Sequence, residues 1–152
     1  MPGCFFFDTS ALFKRYRWEE GSNVVAGILQ QDAVFYISAI TLCEVISNLR
    51  RLADVDGLIS PQEFEVLRAT FLGDVGERLF EVIEVTADII LTATDLASQK
   101  YIAPLDAIQI ATALSVPEKP AFVCADQKLI RIAVASGLHV MDPLHPGEFE
   151  RR

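Results

Sequence analysis

Short apolar runs alternate with longer amphipathic stretches along the chain. Cys4–Asp8 (CFFFD) is a run of aromatics closed by an acid, and Val34–Ser38 (VFYIS) is β-branched and aromatic. Glu81–Val85 (EVIEV) alternates with period two, and Ala121–Ala125 (AFVCA) and Leu138–Met141 (LHVM) complete the set. Each has the length of a strand. The first, second and fourth are apolar on both faces, as in a parallel sheet covered on both sides. Between them the spacing turns helical. Ala39–Ala53 places Ile40, Cys43, Ile46 and Leu49 along one stripe. Ser10–Tyr16, Ser22–Gln30, Ala87–Gln99 and Leu105–Ser115 also read as helices. Ser60–Phe71 opens with Ser60, Pro61 and Glu63, the signature of a capped helix start. Gln127–Ala135 ends before Gly137, a residue type suited to a helix C-terminus.

This alternation predicts an α/β fold with a mainly parallel sheet and right-handed crossovers. Two helices separate the second and third strands, so that crossover is enlarged. Residues 1–142 read as a single domain. Residues 143–152 read as a tail that frays, with a doubly basic end at Arg151 and Arg152.

Composition narrows the class. Of 152 residues, 51% are hydrophobic, which excludes a disordered chain. The longest stretches free of Asp, Glu, Lys and Arg are eleven residues, for example Ala33–Cys43, too short for a membrane span of about 20. Met1–Phe7 is apolar but has no basic flank and stops at Asp8, unlike a signal peptide. Cys4, Cys43 and Cys124 are odd in number, form no C-x-x-C pair and sit in apolar runs, where reduced, buried thiols are expected. These features predict a cytoplasmic protein. The net charge of −8 argues against simple coating of nucleic acid, and no direct DNA binding by this chain alone is expected.

Candidate chemistry lies at the ends of the strands, where sites form in open α/β sheets. Asp8 follows the first strand and Asp126 the fourth. Asp106 stands in the first turn of the helix after Pro104, and Glu44 about two turns into the helix after Ser38. Each has an ordinary structural role open to it. Asp8 and Asp126 suit helix N-caps, Asp106 suits a helix dipole, and Glu44 shares a polar face with Thr41, Ser47, Asn48 and Arg51. Jointly they suggest more. Should the first and fourth strands be neighbours, Asp8 and Asp126 converge, and carboxylates so gathered repel unless a cation intervenes. Hard oxygen donors of this kind suit Mg²⁺ or Mn²⁺.

At these acids the sequence resembles the PIN-domain ribonucleases, most closely the VapC-type toxins of toxin–antitoxin pairs. FFFDTSALFKRY with EEGS, from Phe5 to Ser22, is similar to the family's first block, and ISAITLCEV (Ile37–Val45) to its second. LDAIQIATAL (Leu105–Leu114) is similar to the third block and FVCADQKL (Phe122–Leu129) to the fourth. The blocks stand in family order and span nearly the whole chain. The resemblance implies a three-layer α/β/α sandwich with a five-stranded sheet of order 3-2-1-4-5. It implies a metal-dependent endoribonuclease using one or two Mg²⁺ or Mn²⁺ ions. Its catalytic acids would be Asp8, Glu44, Asp106 and Asp126, with Asp8, Asp106 and Asp126 on the metal and Glu44 holding water or a second ion. Ser10 would orient Asp8. A small antitoxin partner is implied as well, and the aliphatic excess, a mean hydropathy of +0.32, is consistent with apolar surface for that partner or for a homodimer. One departure stands out: the family usually has Ser or Thr two residues before the last acid, where this chain has Cys124, a weaker donor. With the charge, Cys124 motivates the competing reading of a PIN-fold scaffold with little or no catalysis.

Lys14, Arg15 and Arg17, and separately Arg50 and Arg51, form basic clusters that suit either RNA phosphates or a solvated helix face. Tyr16 and Trp18 suit base stacking or a core edge. His139 and His145 lack ligand-like spacing. The chain has no G-x-x-x-x-G-K-[ST], G-x-G-x-x-G or G-x-S-x-G, so nucleotide hydrolysis, dinucleotide binding and serine hydrolase chemistry lack their signatures.

Overall fold

In the computed structural model, which describes residues 3–149, five short strands form one sheet with all pairs parallel. The elements follow in the order β1 (Cys4–Phe7), α1 (Thr9–Phe13), α2 (Ser22–Leu29), β2 (Val34–Ser38), α3 (Ala39–Asp54) and α4 (Pro61–Gly76). There follow β3 (Glu81–Ile83), α5 (Ala87–Gln99), α6 (Pro104–Ser115), β4 (Ala121–Val123), α7 (Gln127–Ala135), β5 (Val140–Met141) and α8 (Pro146–Phe149). The strand order is β3-β2-β1-β4-β5, as expected from the resemblance.

Strand alternation divides the interior into two cores. Phe5 and Phe7 of β1 face a cluster with Leu12, Val25, Val45, Leu49, Phe64 and Phe71, contributed by α1 to α4. Phe6 faces the opposite way, into Ile89, Ala107, Ile110, Leu129 and Ala133 of α5 to α7. The aromatic run CFFF therefore serves both sides of the sheet at once, as its unbroken hydrophobicity predicts. Cross-strand rings pack directly: Phe5 on Phe35 at 6.0 Å and Phe6 on Phe122 at 5.8 Å between centroids.

Local signals set several boundaries. Ser60 accepts from the Glu63 amide and Glu63 accepts from the Ser60 amide, a complete capping box with Pro61 in the first turn. Helix α7 ends with Gly137 at φ +96°, its N–H on the Val134 carbonyl and the Leu138 N–H on that of Ala133. This is the paired C-terminal pattern a left-handed glycine permits. Strands β3, β4 and β5 are each two residues shorter than the runs read from sequence, and two helices differ from it by more than a residue. Helix α4 runs past Phe71 through Gly73 to Gly76, because Asp74 in its last turn is held from outside the helix. It accepts from the Tyr16 hydroxyl at 2.7 Å and from Arg15 at 3.0 Å. The segment after β1 is helical only over Thr9–Phe13.

Cys43 is a correction: it is exposed on α3 rather than buried, while Cys4 is partly covered and Cys124 buried, all three as free thiols. Past β5, Asp142 is buried and accepts from Gln127 at 2.7 Å, and the short α8 follows. The doubly basic end expected of the tail lies outside the described residues. Among the described residues, no helix is long and apolar enough to cross a membrane.

Candidate active site

Strand β1 pairs with β4 in register Phe7↔Val123, and the Asp8 N–H donates to the Val123 carbonyl at 3.1 Å. The pairing brings Asp8 to the carboxyl edge beside the segment that leads to Asp126. Asp8, Glu44, Asp106 and Asp126 all line one small cavity of about 160 Å³, together with Thr9, Ser10, Asn48, Gln109 and Leu129. No Lys or Arg stands among these lining residues.

Asp8 and Asp126 line the cavity and also serve as the helix N-caps that their positions suggest. Asp8 is the N-cap of α1, accepting from the Ala11 N–H at 2.9 Å, and Asp126 caps α7, accepting from the Lys128 and Leu129 N–H groups. Asp106 sits in the first turn of α6, and Pro104, which lacks an N–H, begins the helix where that donor would have no intrahelical acceptor. Ser10 Oγ lies 3.0 Å from Asp8 Oδ1 and 2.9 Å from Oδ2, so its one hydroxyl proton is shared between the two carboxylate oxygens. The Cys124 thiol donates to Asp8 Oδ2 at 3.4 Å.

The electrostatics are those of crowded acids. Burial pushes the Asp8 carboxyl up to about 6, against the hydrogen bonds from Ala11, Ser10 and Cys124 that favour its charged form. Asp106 is raised by burial first, then by the charges of Asp126 and Glu44. Burial and the neighbouring Asp8 charge push the Cys124 thiol up, so it remains a protonated donor.

Four residues of the site were not singled out as functional from sequence. Thr9, Thr41, Asn48 and Gln109 surround Glu44 or line the cavity. For Gln109 a signal existed: it is the one polar residue in Ala107–Ala111, an otherwise apolar run, three positions after Asp106. The basic residues after β1 are engaged elsewhere. Lys14 is buried and paired with Glu19 at 3.1 Å, and Arg15 is paired with Asp74. Arg17 has no ion pair among the described residues; it lines a separate apolar groove with Tyr16 and Trp18. Arg50 pairs with Asp54 and stacks on the Phe64 ring, and Arg51 pairs with Asp56. Tyr16 is a core residue, whereas Trp18 is 76% exposed.

The donor set fits a hydrated divalent cation. Among the described residues, no three His, Cys, Asp or Glu side chains converge closely enough to bind an ion directly. Hard oxygens around a cavity of this size nonetheless suit Mg²⁺, which retains several of its own waters. Burial chiefly raises the Asp8 and Asp106 carboxyls and neighbouring acids add to it, so a bound cation would favour their charged forms.

The thiol donor leads to a specific expectation. A serine hydroxyl is a stronger donor to carboxylate than a thiol. Cys124→Ser is expected to move the Asp8 titration to lower pH, and to stabilise the metal-free protein at pH 7 by roughly 1 kcal/mol. NMR titration of the Asp8 carboxyl carbon and urea unfolding measure the two effects. An unchanged titration would mean the thiol only fills space.

A family model described as PIN domain matches residues 5–135. Solved structures from several bacteria share the fold. The crystal structure of FitAcB from Neisseria gonorrhoeae aligns with TM-score 0.70 at 20% identity, covering 93% of this chain and 99% of that one. A toxin–antitoxin complex from Klebsiella pneumoniae aligns with TM-score 0.65 at 18% identity, covering 91% and 97%. VapBC2 from Rickettsia felis, bound to a DNA fragment from its promoter, aligns with TM-score 0.66 at 16% identity, covering 91% and 98%. No curated protein matches the sequence significantly.

Proposed function

The chain belongs to the PIN domain family, and on that premise we propose that its four-acid cavity hydrolyses RNA phosphodiester bonds with one or two Mg²⁺ or Mn²⁺ ions. We further propose that it is the toxin of a type II toxin–antitoxin pair. The observation that supports this best is the gathering of Asp8, Glu44, Asp106 and Asp126 around one cavity with no basic side chain in its wall. Four acids from four separate segments, two of them raised, have no evident structural need to share one space.

In this reading Asp8, Asp106 and Asp126 hold the ion, and Glu44 orients water at the cavity wall. Ser10 and the α1 N-terminus fix the direction of Asp8. A bound divalent ion supplies a Lewis acid that neutralises phosphate charge and acidifies water for in-line attack. With the acids offset in this way, RNA can approach a protein of net charge −8. Arg17, with Lys14 and Arg15 nearby in sequence, is proposed for the phosphate backbone.

The partner reading follows from surface chemistry. Trp18 and Val66 are 76% and 64% exposed beside Ile59 and Leu67 in a groove of about 560 Å³, a surface suited to an apolar segment of a small antitoxin. A homodimer is proposed for the apolar surface exposed elsewhere, such as Leu91 and Tyr101.

The test uses purified, partner-free protein with end-labelled RNA. Cleavage is expected in millimolar Mn²⁺ and is expected to stop with EDTA. Melting of the same sample is expected to rise with Mn²⁺, by about 2.7 kcal/mol of stability at a hundred times Kd, and less in Asp106→Asn. No cleavage with either ion, together with an unmoved melting curve, would leave a scaffold protein as the better account.

A further inference from the structure

The cavity wall contains a buried amide that none of the preceding roles uses. Gln109 is 2% exposed, and its Nε2 lies 3.1 Å from Thr9 Oγ1, 2.9 Å from Thr41 Oγ1 and 3.1 Å from Glu44 Oε1. Thr9 Oγ1 also donates to Glu44 Oε1 at 3.0 Å and lies 3.1 Å from Thr41 Oγ1. The amide orientation follows from its neighbours. An amide carbonyl oxygen 3.1 Å from a carboxylate oxygen would repel it, so the NH₂ group, and not the carbonyl, faces Glu44. That choice leaves Gln109 Oε1 buried without a partner among the described residues. An unpartnered buried acceptor costs about 1–3 kcal/mol, and the orientation that incurs this cost is the one that serves Glu44.

The position of this amide in the fold matters as much as its bonds. Gln109 stands one helical turn after Asp106 on α6, Thr9 adjoins Asp8 at the start of α1, and Thr41 and Glu44 lie on α3. One side chain thus ties together the three elements that carry Asp8, Glu44 and Asp106. Two donors, the Gln109 amide and the Thr9 hydroxyl, converge on the same Glu44 oxygen, Oε1. No hydrogen bond within the protein engages Oε2 among the described residues.

We infer that Gln109 is a positioning residue that locks the Glu44 carboxylate by its Oε1, leaving Oε2 as the oxygen presented to a cation or its water. The inference rests on the proposed metal-dependent reading of the cavity. It assigns Gln109 no contact with substrate. Its effect passes through Glu44, so removing Glu44 should remove the effect of removing Gln109.

The experiment is a double-mutant cycle read by Mn²⁺ binding, followed through the electron paramagnetic resonance signal of free Mn²⁺. Gln109→Leu is expected to weaken Mn²⁺ affinity about tenfold or more, the usual loss when a partner of a metal-binding group is removed. Glu44→Gln alone should weaken it as well, and the double variant should be no weaker than Glu44→Gln. In the wild-type protein, the Gln109 side-chain amide resonances should shift on addition of Mg²⁺ and in Glu44→Gln. This measurement needs no Gln109 variant and stands if Gln109→Leu fails to fold. Unchanged affinity in Gln109→Leu, additive losses in the double variant, or amide resonances indifferent to Mg²⁺ would each overturn the inference while the metal-binding reading stands. A wild-type protein that binds no Mn²⁺ would overturn both.

Discussion

Asp8→Asn is expected to slow RNA cleavage about a thousandfold, roughly 4 kcal/mol of barrier, without unfolding the protein. The two roles of Asp8 make this variant informative. As an N-cap, Asp8 needs only an acceptor oxygen for the Ala11 N–H, 2.9 Å away, and asparagine supplies one. As a proposed metal ligand it needs the charge, which asparagine lacks. Asp8→Ala removes both and should be about 1 kcal/mol less stable than Asp8→Asn. A structural Asp8 would show the opposite profile, with Asn active and Ala merely less stable. Steady-state cleavage of labelled RNA in Mn²⁺, alongside melting of each variant, separates the two. Cleavage by Asp8→Asn at the wild-type rate would overturn the assignment of this carboxylate to the chemistry.

The second large effect concerns stability rather than rate, and its sign is set by burial. In the folded protein the Asp8 carboxyl is raised from 3.8 to about 6, chiefly because burial penalises its charge. The folded state therefore holds the proton more tightly than the unfolded state does. This contribution to stability is fully present below pH 3.8 and is lost as pH rises through about 6. The loss amounts to about 3 kcal/mol by neutral pH, or roughly 10 °C of melting temperature for a domain of this size. Other acids titrate in the same range, so the measurement is a difference. Without metal, Asp8→Asn should gain stability relative to wild type as pH rises from 4 to 7.5. Added Mn²⁺ should reverse that gain, because only the wild-type carboxylate binds the ion. A difference between the two proteins that stays flat with pH would show that Asp8 does not sit as a strained charge.

How far the sequence could be read depended on whether a feature was local. The capping box at Ser60–Glu63 and the left-handed Gly137 were legible because each is set by interactions within a few residues. Strand β1 was legible because Phe5, Phe6 and Phe7 are apolar without a break, as a strand covered on both faces requires, and β3 because Glu81–Val85 alternates with period two. The end of α4 was not. Its extension to Gly76 depends on Asp74 meeting Tyr16 and Arg15, partners nearly sixty residues away in the chain.

The same division holds in the site. The sequence by itself placed Asp8 and Asp126 after strands and Asp106 at a helix start, since strand ends and helix starts are written in short runs of residues. It could not say whether they meet, because periodicity carries no strand order; the motif resemblance supplied that order as an expectation. Tertiary structure decided it through the parallel pairing of β1 with β4, which sets Asp8 beside the turn leading to Asp126. It also decided which basic residues are already paired, and that Cys43 faces outward. Gln109 shows the limit most clearly. A lone polar residue in an apolar helix signals that a partner exists, but Thr9, 100 positions before it, and Thr41, 68 positions before it, are found only by the fold.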